Sequence, residues 1–262
     1  MNVYSKLSRH ESKLSTKIGL LVLSLGIVAL GSSINYNSSI LALIGLSLSL
    51  WGALFLLIKP NRYIKADVLE STLISNFKNI DEILAEQNCH GKGIYLPPHS
   101  LKELKEGIVF FPTQSEMKLP LLNKETEGKI FRNPEGIFLT PPGQGLIALY
   151  EKKLGTNLAK VDMNFLKHKL PQLMIEDLEL VEDIEIHEQG NTVYVEIKGS
   201  VYAEIHKQLE NQTSIIHRIG CPLCSSIACA LAKVANKSVI IEKSEVSSDR
   251  KTTKILYRLQ KN

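Results

Sequence analysis

The sequence is poor in cysteine and tryptophan, with four and one in 262 residues, and it carries no charged side chain between Ile18 and Ile58. So little cysteine excludes a disulfide-dense secreted scaffold. Sixteen glycines and ten prolines without a repeat exclude collagen-like and low-complexity chains. The uncharged stretch runs for 41 residues and excludes a plain cytosolic enzyme. There is no Gly-Lys-Ser/Thr phosphate loop, no Gly-x-Ser-x-Gly nucleophile elbow and no His-Glu-x-x-His pair. What remains is a membrane-anchored protein with a soluble part of roughly 200 residues.

The uncharged stretch divides at Gly31–Ser39, a polar run rich in Asn, Ser and Gly. A bilayer core needs about 20 apolar residues in a helix. Two spans are predicted, at about 14–34 and 39–58, returning as an antiparallel hairpin. Gly19, Gly26, Gly45 and Gly52 could allow the two helices to approach closely. Alternatively, Gly45 and Ser49 could serve a partner helix in a homo-oligomer, or the small residues reflect only their frequency in membrane helices. Residues 1–17 hold Lys6, Arg9, Lys13 and Lys17 against Glu11, and Lys59, Arg62 and Lys65 follow the second span. Basic flanks stay inside, so both termini are expected in the cytoplasm of a multi-pass cell-membrane protein. A cleaved signal peptide ending near Ala29-Leu30-Gly31 is the competing expectation, and it leaves the C-terminal part on the same side.

Charge is uneven. Residues 1–17 and 59–65 carry +3 each, and 66–262 carry −2. The basic surplus lies beside the lipid, where anionic headgroups can meet it. The soluble part has no basic stripe, so nucleic acid is not an expected partner. The lipid bilayer and an unknown protein or small molecule are.

Beyond the spans, residues 59–90 read as a juxtamembrane amphipathic helix, with Pro60 bending its approach. Residues 91–160 read as a subdomain of short strands at 93–96, 108–111, 129–131 and 136–140, separated by Pro97-Pro98, Pro112, Pro120, Pro134 and Pro141-Pro142, then a helix at 143–154. Residues 161–262 show helix–strand–strand twice. A helix at 164–174 contains Pro171. Strands at 178–187 and 192–199 join through Gln189-Gly190-Asn191. A polar segment at 202–212 and a helix at 222–235 lead to strands at 239–246 and 253–259. These four strands could pair into an antiparallel sheet with helices on one face. The predicted fold is therefore membrane-anchored α+β: an N-terminal transmembrane helical hairpin, then a cytoplasmic α+β region with mostly antiparallel strands.

The most distinctive stretch is Gly220-Cys221-Pro222-Leu223-Cys224-Ser225-Ser226-Ile227-Ala228-Cys229. Cys-Pro-x-Cys at a helix start resembles the glutaredoxin active site, where the helix N-terminus stabilises a thiolate. The elements around it do not fit that fold. Cys221 and Cys224 could instead hold a metal, zinc or an iron–sulfur cluster, with Cys229 or Cys89-His90 completing the ligands. Cys229 lies about 140° round the helix from Cys224 and points elsewhere. The third reading, and the one the composition favours, is a buried, reduced cysteine cluster behind an N-terminal proline. No cofactor is predicted on this reading.

Other candidates are weaker. Pro141-Pro142-Gly143-Gln144-Gly145 opens a helix and could hold an anion or form a rigid turn. His90, His99, His168, His187, His206 and His217 are scattered. Glu176, Asp177, Glu179, Glu182 and Asp183 read as a solvated face.

Lys59-Pro60-Asn61-Arg62-Tyr63-Ile64 after two spans, with Ile94-Tyr95-Leu96-Pro97, Phe110-Phe111-Pro112, Gly136–Pro141 and Gly199-Ser200-Val201-Tyr202, resembles a family of uncharacterised archaeal two-span membrane proteins with a cytoplasmic domain of unknown function. The resemblance implies topology and no chemistry. The sequence thus predicts a membrane-anchored cytoplasmic module that binds a partner or ligand, without an assignable catalytic activity. A membrane-tethered thiol-redox or metal-binding protein using Cys221 and Cys224 is the alternative.

Overall fold

From Ile18 onward, apolar residues on every side of the helix and no charge accompany two long helices at the N-terminus, the first of which begins within the basic segment. In the computed structural model, which describes residues 4–57, 66–97, 107–113, 131–133, 136–212, 215–249 and 251–260, α1 is Tyr4–Tyr36 and α2 is Ser39–Leu57. The turn between them is shorter than the polar run suggested. Helix continues through Tyr36, Asn37 takes a left-handed conformation (φ 49°), and Ser38 starts the next helix by accepting from the Leu41 amide at 3.4 Å. The serines inside the helices turn back on their own backbone: Ser24 donates to Leu21 O at 2.8 Å and Ser49 to Gly45 O at 2.8 Å. Hydroxyls used in this way need no water.

The α1–α2 contact runs along the four glycines. Gly19, Gly26, Gly45 and Gly52 are buried, while Leu20, Leu21, Leu25, Ile27, Leu43, Leu46, Leu50 and Trp51 face outward and are exposed. A Cβ on Gly26 would stand 2.5 Å from Ser49 N, and one on Gly52 would stand 2.5 Å from Leu23 N. Neither backbone can yield at that distance. The glycine face is therefore taken by the hairpin's own second helix, and Gly45 and Ser49 contact Leu30 and Gly26 rather than standing free for another chain.

Residues 65–262 form a second compact unit. It opens with α3, Ala66–Glu86, which buries Phe77 and Leu84 and ends at Asn88 in a left-handed turn (φ 56°). Strands follow at β1 (Ile94–Leu96), β2 (Ile108–Pro112), β3 (Phe131–Asn133) and β4 (Gly136–Leu139), then α4 (Gln144–Leu154), a 3-10 turn (Leu158–Lys160) and α5 (Met163–Gln172). Pro171 does not end α5. The chain passes it and loosens into a π turn at Leu173–Asp177, where the Leu178 amide reaches Leu173 O at 3.0 Å. Leu178, which caps this π turn, and Glu179 (φ 50°) occupy residues expected to be strand, so β5 begins only at Asp183 and runs to Gln189. Strand β6 (Thr192–Lys198), α6 (Ala203–Gln212), α7 (Ile215–Ile219), α8 (Pro222–Ala235), β7 (Ser238–Val246) and β8 (Thr252–Gln260) complete it.

The eight strands among the described residues share one antiparallel sheet, ordered β3-β4-β2-β1-β7-β8-β6-β5. The four C-terminal strands pair as their alternation predicts, with Val193, Val195 and Ile197 of β6 and Ile255, Tyr257 and Leu259 of β8 on the helix-covered face. Two pairs, Ile94↔Ile240 and Tyr95↔Val239, join β1 to β7. The sheet therefore runs unbroken across the 160/161 boundary drawn from the sequence. Pairing between strands so far apart in the chain leaves no local trace that would have revealed it. The opposite face carries Ile94, Leu96, Phe110, Phe138 and Ile240.

Helix α8 is enclosed. Every residue from Pro222 to Lys233 is buried, between β1, β7 and β8 and the layer made by α4, the 3-10 turn and α5. Arg218 on α7 ties the entry to β1: its Nε donates to Gly91 O at 3.0 Å, a second nitrogen donates to Cys89 O, and its guanidinium lies 5.4 Å from the Phe111 ring centre. Pro60, Lys59, Arg62, Lys65, Pro98, His99, Pro120 and Pro134, with the expected start of β3 at Lys129-Ile130, lie outside the described residues.

Gly26→Leu should lower the thermal midpoint of the detergent-solubilised chain, by about 1–3 kcal/mol of overpacking. The emission of Trp51, the chain's one tryptophan, reports it. Gly31→Leu, which meets nothing within 4 Å, should leave the midpoint unchanged.

Candidate functional site

The first turn of α8 gathers the reactive side chains. Gly220 turns the chain with φ 71°, a value glycine adopts without strain. Cys221 follows as N-cap, its sulfur accepting from the Cys224 amide at 3.4 Å, and Pro222 takes the first helical position, where a missing N–H costs nothing. The motif thus does what a helix start requires and, in doing so, sets the Cys221 and Cys224 sulfurs 3.2 Å apart. All four cysteines are free thiols and all are buried.

The partner that sequence reasoning missed is His206. It stands on α6 in the buried stripe Tyr202, Ile205, His206, Leu209, and its ligating nitrogen, Cys221 Sγ and Cys224 Sγ all lie within 4.8 Å of one another. His206 is 1% exposed, and neither ring nitrogen has a hydrogen-bond partner. The signal was present: position 206 follows Tyr202 by four and precedes Leu209 by three, which places it on the apolar face. Read as a polar segment, 202–212 concealed it. Cys229 and Cys89-His90 do not join the group. Cys229 lies beside Lys233, and Cys89 beside Arg218.

The electrostatics separate the two thiols. Cys221 is drawn well below the usual thiol range, first by the hydrogen bond between its sulfur and that of Cys224, against the opposing effect of burial, and then by the His206 ring and the Cys224 amide. Cys224 is pushed up by that same hydrogen bond and by burial. Around them, Tyr257 donates to Cys224 O at 3.0 Å and Tyr95 donates to Ile219 O, both from fully buried hydroxyls. Ser244 on β7 is buried without a hydrogen-bond partner and neighbours Cys224. A thiolate favoured at a helix N-terminus is suited to disulfide exchange or to metal ligation. Exchange also needs an open path to the sulfur. Here Cys221 is 3% exposed and Cys224 1%.

The helix start at Pro141–Gly145 is a rigid turn. Gly143 N donates to Ser225 Oγ at 3.0 Å, Gln144 Oε1 accepts from Gly107 N at 3.0 Å, and a Cβ on Gly143 would lie 2.1 Å from Ser226 N. Its polar groups bind the fold itself. The carboxylates read as a solvated face include Asp183, which pairs with Lys198 at 2.9 Å on the surface.

A family model described as Domain of unknown function (DUF7982) matches residues 2–259. No curated protein and no solved structure matches the chain.

Two outcomes follow from the burial. In the native protein, iodoacetamide should alkylate none of the four cysteines on the timescale that modifies all four after unfolding, read by intact mass. Tyr257→Phe, which deletes one buried hydroxyl bond, should cost about 1 kcal/mol in urea unfolding.

Proposed function

We propose that the chain, which belongs to the family described as Domain of unknown function (DUF7982), is a two-span membrane anchor carrying a non-catalytic α+β module that binds a protein or small-molecule partner at the cytoplasmic face. The hairpin is the observation that carries this reading. Lys17–Tyr36 and Ser39–Leu57 are each long and apolar enough to cross a bilayer, and only their glycines are buried. Large aliphatic side chains such as Leu20, Val28, Leu43 and Leu50, each more than 60% exposed, suit lipid and not water. The third stretch of that length and composition, Ile215–Ala235, is 89% buried in the fold and broken at Gly220, which fits a core segment.

The basic flanks support cytoplasmic termini, as does the likeness to archaeal two-span proteins. The burial of the cysteine–histidine group argues against a thiol-exchange enzyme, because a partner disulfide must touch the attacking sulfur.

Alkaline carbonate extraction tests the anchor. The chain should stay with the membrane pellet and leave it only with detergent; release into the carbonate supernatant would contradict the proposal. Native mass spectrometry from mild detergent tests the binding half. A stoichiometric protein or organic partner is expected, and a bare chain is the contrary result.

A further inference from the structure

Few side chains in the domain are as poorly served as His206. A buried polar atom without a partner costs about 1–3 kcal/mol, and this ring has two such atoms at 1% exposure. Its neighbours are two sulfurs that approach from another helix. The geometry points to a structural metal site in which Cys221 Sγ, Cys224 Sγ and one ring nitrogen of His206 hold a thiophilic divalent cation of the zinc class.

Three observations carry this. First, the three ligand atoms lie within 4.8 Å of one another, close enough for bonds of about 2.0–2.3 Å to one ion. A tetrahedral ion sets two sulfurs about 3.8 Å apart, and a small rotamer adjustment takes them there from 3.2 Å. Second, the pocket is deeply buried, so net charge is costly. Two thiolates and one divalent cation sum to zero, whereas two thiolates with a monovalent ion leave a buried negative charge. Third, coordination gives one His206 nitrogen the partner it lacks. A Cys221–Cys224 disulfide would use both sulfurs and leave the ring unserved. Ser244, with its orphaned hydroxyl beside Cys224, is the protein's candidate for the fourth position, which a water could otherwise fill. Binding releases the thiol protons to solvent, and no electron is transferred.

Such an ion would clip α6 to the first turn of α8, two elements separated in sequence by α7. It would act as a crosslink at the centre of the domain. The inference does not rest on membrane anchoring, and the two fail separately.

The test uses the full chain purified in mild detergent with a reductant and no chelator. Elemental analysis should find about one zinc per chain, and cobalt(II) exchanged into the protein should show thiolate-to-metal absorption. His206→Gln and Cys221→Ser should lose the metal, while Cys89→Ser and Cys229→Ser should keep it. Should the ligand variants fail to fold, the wild type decides. Chelation should lower its melting temperature, and one equivalent of zinc, but not magnesium, should restore it. The inference is overturned by a folded wild type that holds neither zinc nor cobalt, by His206→Gln with full metal content, or by a Cys221–Cys224 disulfide in protein alkylated at lysis.

Discussion

A polar atom shut away from water must find its partner inside the protein, and the two units of this chain meet that demand by different routes. In α1 and α2 the backbone is satisfied by helix alone, and the serine hydroxyls fold back on carbonyls a turn away. With these hydroxyls turned back, the two helices close on one another by shape along their glycines. Four glycines supply that shape, two on each helix and seven residues apart on both. In the second unit the same demand falls on α8, which has no solvated face. Its start is capped by its own cysteine, and Tyr150 and Ser226 meet across the α4 contact at 2.9 Å. Lys233 reaches Glu151 at 2.7 Å, and that carboxylate also accepts from the Leu158 amide. One network thus ties α4, the 3-10 turn and α8 together.

Against that background His206 stands out because it breaks the rule. The domain satisfies nearly all its inward polar groups with protein partners, and the described exceptions on the sheet–helix side are two histidine nitrogens and a serine hydroxyl around one cysteine pair. The chemistry of this group points inward. It lies buried between α6 and the first turn of α8. This agrees with a module that acts through its surface while its most reactive side chains serve the interior.

Much of this was legible in the residues, and what was not has a physical reason. The spans were visible because 41 consecutive residues without charge suit lipid far better than a water-facing surface, and the hairpin β5–β6 because Gly190-Asn191 separates two alternating runs. The helix start at Cys221 was visible in its proline. The role of the glycines was not decidable, since small residues serve hairpin, oligomer and chance alike until a backbone is seen against them. The β1–β7 pairing was invisible because it joins distant segments, and the approach of α6 to α8 because 202–212, rich in polar residues, hides its buried face. The π turn was hidden as well: Pro171 announces a disturbed helix without saying whether the chain stops, bends or loosens.

The proposal of a two-span anchor with an inward domain can be tested at two atoms. The native cysteines are buried, so a single introduced cysteine reports alone. Asn37→Cys lies in the α1–α2 turn and Ser248→Cys in the exposed β7–β8 turn. Treating intact cells with a membrane-impermeant maleimide should label the first variant and spare the second until the cells are opened. Labelling of Ser248→Cys in intact cells, or of neither position before lysis and both after it, would contradict the account.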